Sequence, residues 1–420
     1  MPGFHRGRRH RLGGDSPHPA GRRRRAHGLQ APRVLAAHGH PPGQDPTGNP
    51  LAAGSGPVEN LGLTGAFWRD RRVFLTGHTG FKGGWLTLWL EALGAKVHGF
   101  ALPPPTRPNL FDAAGIEAHV SGSTLGDLAD RALLANALQQ AQPEVVFHLA
   151  AQPLVRHSYA FPVETFATNV LGTVHLLEAV RGCPSVRAVV NVTTDKCYEN
   201  QEWPWGYREN DPLGGADPYA SSKACSELVT AAYRRSFLGT AGVGVATARA
   251  GNVIGGGDWA ADRLLPDAFR ALDGGKPLII RAPGAIRPWQ HVLESLSGYL
   301  ALAERLHEDG QAFAGAWNFG PSEQGARSVA DLLGRLAELE PTFRWEHDAS
   351  PQPHETSVLM LDSTRTRLKL GWQPRWQVET ALARSLAWHQ AWRQGRDMAE
   401  FTLEQIRDYS QSVGERTSPS

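Results

Sequence analysis

Cysteine is scarce in this chain. Cys183, Cys197 and Cys225 are the only three in 420 residues, and their spacing fits neither a metal knuckle nor a disulfide framework. That argues against a stapled secreted domain or a zinc module and reads as reduced thiols in a cytoplasmic protein with no metal centre. Long apolar runs are missing as well, and no stretch reaches the ~20 residues needed to cross a bilayer. Charge of one sign is in short supply. The net charge is only +2, yet residues 1–60 hold nine arginines against Asp15, Asp45 and Glu59, a surplus of six. The rest of the chain therefore carries a deficit of four and offers no basic face for nucleic acid.

Residues 1–60 have almost no aromatic or β-branched side chains and are rich in Gly, Pro, His and Arg. Such a composition buries too little apolar surface to order itself. Arg22 to Arg25 could serve a nucleic acid or a membrane, and the stretch could be a transit peptide. Serine is scarce, however, and no apolar signal core is present. The expectation over 1–62 is a disordered leader, or upstream sequence translated from a start codon set too early.

What is present is a globular composition, 41% hydrophobic and 20% charged, long enough for more than one domain. Val73 to Thr76 is an apolar β run. Gly77, Gly80 and Gly83 follow at spacings of three. Trp85, Leu86, Leu88, Trp89, Leu90 and Leu93 then recur with helical period. Strand, glycine turn and helix in that order suit a dinucleotide pyrophosphate: glycines admit the backbone to the phosphates, and a helix N-terminus offers free N–H groups and the positive end of its dipole. A plain strand-to-helix turn is the bland alternative.

Strands and helices alternate from there. Strands are expected over 95–100, 144–151, 186–194 and 243–250, with helices over 163–180 and 220–237. Continuous apolar strands between helices predict an α/β fold, a Rossmann-type doubly wound parallel sheet covered on both faces. After Gly251 the texture changes. Short strands over 278–281 and 316–319 and helices over 292–306 and 329–339 predict a smaller C-terminal α/β substrate-binding lobe. The expected division is a nucleotide-binding domain over 63–250, a lobe over 251–410 partly interleaved with it, and a frayed tail over 411–420.

Three clusters carry chemistry. Tyr219 and Lys223 lie four apart, on one helix face, just after Pro218. An ammonium beside a phenol favours phenolate, so a depressed Tyr219 pKa is expected, suited to taking a proton from a sugar hydroxyl. A surface pair is the ordinary alternative. Thr193 to Tyr198 follow the 186–194 strand at its carboxyl end, which faces the ligand crevice of a parallel sheet. Thr194 can hold a substrate oxygen, and Asp195 and Lys196 offer an acid and a base. Gly251 to Trp259, Arg263 and Arg287 to His291 form the third. Asn252 and its neighbouring glycines can approach phosphates, and the two arginines can fork a diphosphate.

Together these motifs resemble the extended short-chain dehydrogenase/reductase superfamily. Gly-His-Thr-Gly-Phe-Lys-Gly, Thr-Thr-Asp-Lys-Cys-Tyr-Glu-Asn, Arg-Ala-Gly-Asn-Val-Ile-Gly-Gly-Gly-Asp-Trp and Arg-Pro-Trp-Gln-His-Val-Leu-Glu are similar to those of the CDP-glucose 4,6-dehydratase family, as are His354-Glu355 to Leu361-Asp362 and Leu370 to Pro374. The likeness runs from about Phe67 to about Trp392. It implies NAD as cofactor, CDP-glucose as substrate, no nucleic-acid or membrane partner, and a homodimer built on the 163–180 and 220–237 helices. It implies cofactor contacts at Gly77, Thr79, Gly80, Phe81, Gly83, Asp127, Leu128, Ala150, Ala151, Tyr219 and Lys223. Catalysis falls to Thr194, Asp195, Lys196, Tyr219 and Lys223, and substrate binding to Asn252, Arg263, Arg287 and Gln290. Two features depart from close relatives. Dehydratases acting on dTDP-glucose carry Asp-Glu where this chain has Asp195-Lys196. The second strand ends Gly99-Phe100-Ala101, with no acid for an adenosine ribose. Lys82, at a helix start, is expected to be solvated, or else to meet a 2′-phosphate. A 4-epimerase on the same scaffold and a silent dinucleotide-binding protein are the alternatives.

Overall fold

Alternation of apolar strands with helices resolves into one parallel sheet. The computed structural model describes residues 65–322, 325–348, 350 and 357–412. The expected leader over 1–62, His354-Glu355 and the tail beyond 412 lie outside the described residues. Six strands come in the first part of the chain: β1 (Arg72–Thr76), β2 (Lys96–Ala101), β3 (Gly122–Leu125), β4 (Val145–His148), β5 (Ala188–Val192) and β6 (Gly244–Ala250). The short strands β7 (Val253–Ile254), β8 (Leu278–Ile280), β9 (Ile286–Pro288) and β10 (Gln290–His291) follow, then β11 (Gly315–Phe319), β12 (Ala326–Ser328) and β13 (Trp345–His347). The main sheet has the order β11-β6-β5-β4-β1-β2-β3, with every pair parallel. The order reverses between β1 and β4, where Thr76 pairs with His148. Their diverging carboxyl ends open the crevice in which such sheets take ligands.

Side chains alternate across the sheet, so each strand feeds two cores. Val73 and Leu75 point into one with Trp85, Trp89 and Leu296, while Phe74 points into the other with Leu134, Leu138 and Leu176. The helix expected over 163–180 is one continuous rod built in three pieces, Pro162–Phe166, a wide π-turn over Ala167–Leu171, and Gly172–Arg181. The helix after Pro218 runs Pro218–Tyr233 and widens likewise over Arg234–Leu238. Asp217 caps it, its side chain accepting from Ala220 N at 2.9 Å, with Pro218 at the first helical position.

The change of texture after Gly251 is only partly a change of lobe. β11 pairs with β6 in the main sheet, and the Val292–Glu308 helix packs against β5 and β6. Both therefore belong to the nucleotide-binding sheet, against the expectation that set them in the smaller lobe. Strand partners are chosen by long-range packing, which local periodicity cannot register. What remains of the lobe is a set of two-stranded pieces, β10 with β7, β12 with β9 and β13 with β8, under the Leu264–Asp273, Val329–Leu339 and Val378–Arg393 helices. Its core is Leu265, Phe269, Leu278, Leu332, Leu336 and Leu382.

Candidate active site

The glycine turn after β1 is shaped by close approach. Gly77 has φ +83°, and a Cβ on it would lie 2.8 Å from Ala150 N. A Cβ on Gly83 would lie 2.0 Å from Gly77 O. The Phe81–Ala92 helix can therefore begin tight against the turn only because both residues lack side chains. Gly80 is its N-cap residue. Around this cradle the polar groups are partly committed. Thr79 Oγ1 donates to Leu102 O at 2.8 Å, and Ala150 N donates to Thr76 Oγ1 at 3.2 Å. Ala151 follows Ala150 at the end of β4. After β3, Asp127 Oδ1 accepts from Ala129 N at 2.9 Å, and Leu128 is buried among the core side chains.

The carboxyl end of β5 holds the second cluster expected to carry chemistry. Thr194 caps a single 3-10 turn, Asp195–Cys197, accepting from Lys196 N at 3.3 Å. Thr194 Oγ1 donates to Asp195 Oδ1 at 3.1 Å. Asp195 is buried, and its Oδ2 has no hydrogen-bond partner among the described residues. Lys196, next along the turn, is half-buried. Opposite stands the Pro218–Tyr233 helix with Tyr219 and Lys223 on one face, both buried. The Thr194 hydroxyl lies close enough to the Tyr219 phenol to favour its ionised form. Lys223 Nζ donates to Val192 O at 3.1 Å.

Burial dominates the titration of this pair. The Tyr219 phenol is pushed up to about 12 by burial, against the favourable pull of the Thr194 hydroxyl and the Arg263 guanidinium. Lys223 is pulled down to about 8 by burial, with Glu227 opposing. The expected depression of the Tyr219 pKa is thus reversed in the protein alone. Loss of solvent penalises phenolate more than the Thr194 hydroxyl and the Arg263 guanidinium favour it.

The sequence also missed Lys82. It is not a solvated helix-start lysine. It is half-buried, its ammonium 5.8 Å from the centre of the Tyr299 ring. Burial first, then the charges of Arg263 and Lys223, pull it down to about 7, while Asp195 and Asp258 oppose. It belongs to the same cluster as Asp195 and Lys223.

The expected substrate residues come from three segments, and a Cβ on Gly251, beside Asn252, would lie 3.2 Å from Asp195 Oδ2. Arg263 NH1 pairs with Asp258 Oδ2 at 2.9 Å and lies near enough to Tyr219 to favour its ionised form. Arg287, in β9, is buried and donates from NH1 to Ile286 O at 2.9 Å. Asn252 is half-buried, and its carbonyl accepts from Gln290 N at 3.0 Å. Gln290 is buried, with its amide donating to Phe319 O at 2.8 Å. Among the described residues no group of three or more His, Cys, Asp or Glu side chains is arranged to hold a metal, and no helix is long and apolar enough to cross a membrane.

With this geometry in view, residues 74–385 match the family model described as GDP-mannose 4,6 dehydratase. The chain belongs to this family. It is a member of the extended short-chain dehydrogenase/reductase superfamily. The CDP-glucose 4,6-dehydratase of Salmonella typhimurium is 50% identical over 349 residues, covering 82% of this chain and 97% of the relative. The dTDP-glucose 4,6-dehydratase of Xanthomonas campestris pv. campestris is 28% identical, covering 79% and 97% respectively. Among solved structures, MoeE5 in complex with UDP-glucose and NAD aligns with TM-score 0.64 and 25% identity, covering 80% of this chain and 99% of that one. TunA, an NAD-dependent NDP-hexosamine 5,6-dehydratase of tunicamycin biosynthesis, aligns with TM-score 0.65 and 25% identity over 78% and 99%. The dehydratase family thus accounts for the Rossmann-type parallel sheet with its flanking helices.

Beyond Lys82, sequence reading passed over Glu227, Arg249 and Asn169. Glu227 could have been found, since it lies one turn beyond Lys223 on the face that carries Tyr219. Asn169 sits in the π-turn, where its side chain accepts from Gln152 N at 2.9 Å and donates to Ser222 Oγ at 2.9 Å. A π-turn has no periodic signature in the sequence, although such turns gather at functional sites.

Proposed function

We propose that this protein is an NAD-dependent CDP-glucose 4,6-dehydratase. One observation carries the reading: an acid and an amine, Asp195 and Lys196, stand on the same short turn as Thr194, whose hydroxyl lies close enough to Tyr219 to favour its ionised form. A 4-epimerase needs Tyr219, Lys223 and Thr194 but has no use for that second pair. The choice of CDP-glucose is supported by the name and the 50% identity of the Salmonella relative.

The glycine cradle fits a dinucleotide, because a Cβ at Gly77 or Gly83 would fill it. Gly77, Thr79, Gly80, Phe81, Gly83, Asp127, Leu128, Ala150 and Ala151 would hold NAD along the strand ends, and Lys223 its nicotinamide ribose. The cofactor supplies a reversible hydride store, so the hydride lost from C4 of the glucosyl ring returns at C6. Tyr219 takes the C4 hydroxyl proton while Thr194 holds that oxygen. Lys223 favours the phenolate, adding to Arg263. The ketone at C4 acidifies C5–H; Lys196 removes that proton and returns it to C5 once the hydride has arrived at C6. Asp195 gives a proton to the C6 oxygen, which leaves as water. The product is CDP-4-dehydro-6-deoxy-glucose, a precursor of deoxysugars for surface polysaccharides such as O-antigen. Asn252, Arg263, Arg287 and Gln290 bind the nucleotide sugar.

The enzyme works as a cytoplasmic homodimer. Supporting this, Val163 is 82% exposed and Leu228 59%, with Leu171 and Phe237 also open on the same helices. An apolar face of this kind marks a protein interface. Incubation with CDP-glucose and NAD tests the reading: a 4-keto-6-deoxy sugar is expected, CDP-galactose would indicate an epimerase, and unchanged substrate would refute both.

A further inference from the structure

We infer that the buried Glu227–Arg249 ion pair is a clamp that sets the position of the Thr194–Cys197 turn against Tyr219 and Lys223. Both are positioning residues, and the inference rests on the dehydratase reading of that turn. Glu227 lies on the Tyr219–Lys223 face of its helix, and Arg249 lies in β6. Their side chains are 4% and 3% exposed. Glu227 Oε1 accepts from Thr193 Oγ1 at 2.5 Å and from Arg249 Nε at 2.9 Å. Its Oε2 accepts from Thr247 Oγ1 at 2.7 Å and from Arg249 NH2 at 2.8 Å. Arg249 NH1 then donates to the Tyr198 hydroxyl at 2.9 Å and to Glu209 O at 3.1 Å.

Thr193 immediately precedes the reactive turn, and Tyr198 immediately follows it. The carboxylate therefore holds one end of the turn and the guanidinium holds the other. Tyr198 is fixed further by donating to Asn318 Oδ1 at 2.7 Å, and its ring stacks on Tyr207 at 5.2 Å. Fold stability does not demand this arrangement, since a buried ion pair replaced by well-packed apolar residues is often neutral. What apolar packing cannot reproduce is direction. The planar fork of Arg249 and four bonds to one carboxylate define the distance from the Tyr219 helix to both ends of the turn. That distance sets where Asp195 and Lys196 meet the sugar oxidised at Tyr219. A displacement of about 1 Å in such a site costs up to about a hundredfold in rate.

Three variants of the full chain test the clamp while leaving the ion pair whole. Thr193→Val and Tyr198→Phe each remove one hydroxyl that the pair holds, and Thr193→Ser keeps it. Cys197 lies in the turn and is fully buried, so its alkylation by iodoacetamide, followed by peptide mass spectrometry, reports the turn without substrate. Alkylation at Cys197 is expected to be at least about tenfold faster in the valine and phenylalanine variants and to stay at the wild-type rate in the serine variant. With CDP-glucose and NAD, the first two should lose about tenfold to a hundredfold in kcat at unchanged KM, and reduced nicotinamide should accumulate in a single turnover. The serine variant should recover kcat. Wild-type Cys197 protection in both hydroxyl-less variants overturns the inference, even if their thermal midpoints fall. Faster labelling with wild-type kcat overturns it too, because the turn would then have moved without catalytic consequence. If the wild type leaves CDP-glucose unchanged, the dehydratase reading fails, and the Cys197 rates alone decide the clamp.

Discussion

Replacing Lys82 with methionine should flatten the rise of stability with pH. The Lys82 ammonium has an ordinary pKa of 10.5, and the folded protein pulls it down to about 7. Between those values the unfolded chain binds a proton that the folded chain does not. Stability therefore rises with pH across that window, and below about 7 the cost of burying the charge is fully present. One pKa unit corresponds to about 1.4 kcal/mol, so the whole shift amounts to on the order of 5 kcal/mol at full strength. Lys82 is only half-buried, and screening by solvent reduces the expected cost to about 2 kcal/mol. Lys82→Met should accordingly be more stable than wild type by about 2 kcal/mol near pH 6.5 and converge with it near pH 10. Lys223, pulled down to about 8, contributes a slope of the same sign in both proteins. The difference between the two curves thus isolates Lys82. Urea unfolding followed by tryptophan fluorescence at several pH values measures it. Curves that run parallel from pH 6.5 to 10 would refute the placement of Lys82 as a buried charge in the site.

Three further outcomes are expected. Tyr219→Phe should bind NAD and CDP-glucose but lose C4 oxidation by roughly 10²–10⁴-fold, since only the proton-accepting hydroxyl is gone; near-normal turnover would remove Tyr219 from the base role. Lys196→Ala should oxidise C4 and then stall, accumulating reduced nicotinamide, and it should fail to exchange the C5 hydrogen with heavy water. Wild-type exchange would assign that proton to another group. Arg287→Ala should weaken CDP-glucose binding by on the order of 2–4 kcal/mol while sparing NAD, because a charge-assisted fork is lost from a buried strand; unchanged substrate affinity in titration calorimetry would contradict this.

Much of the architecture was legible because its causes are local. The Val73–Thr76 run, the three glycines and the apolar period from Trp85 announce strand, turn and helix within about twenty residues. Pro218 and the four-residue step from Tyr219 to Lys223 likewise set a helix start and a shared face. Asp195 and Lys196 needed only their position after a buried strand. The sheet membership of Gly315–Phe319 was not legible, because it depends on pairing with β6, some seventy residues earlier. Nor was the direction of the Tyr219 shift, which is set by how much solvent the closed fold removes rather than by the lysine four residues away. Lys82 looked like a surface residue until tertiary packing brought Tyr299, Asp195 and Arg263 around it. Glu227 and Arg249 are ordinary charged residues in sequence, and only the fold brings them together beneath the reactive turn. Periodicity and turn chemistry act over a few residues, so the sequence by itself determined the elements and which residue types stand at the strand ends and helix starts. Desolvation and charge pairing act between residues far apart in the chain, so the tertiary structure alone decided which of those charges share one buried site.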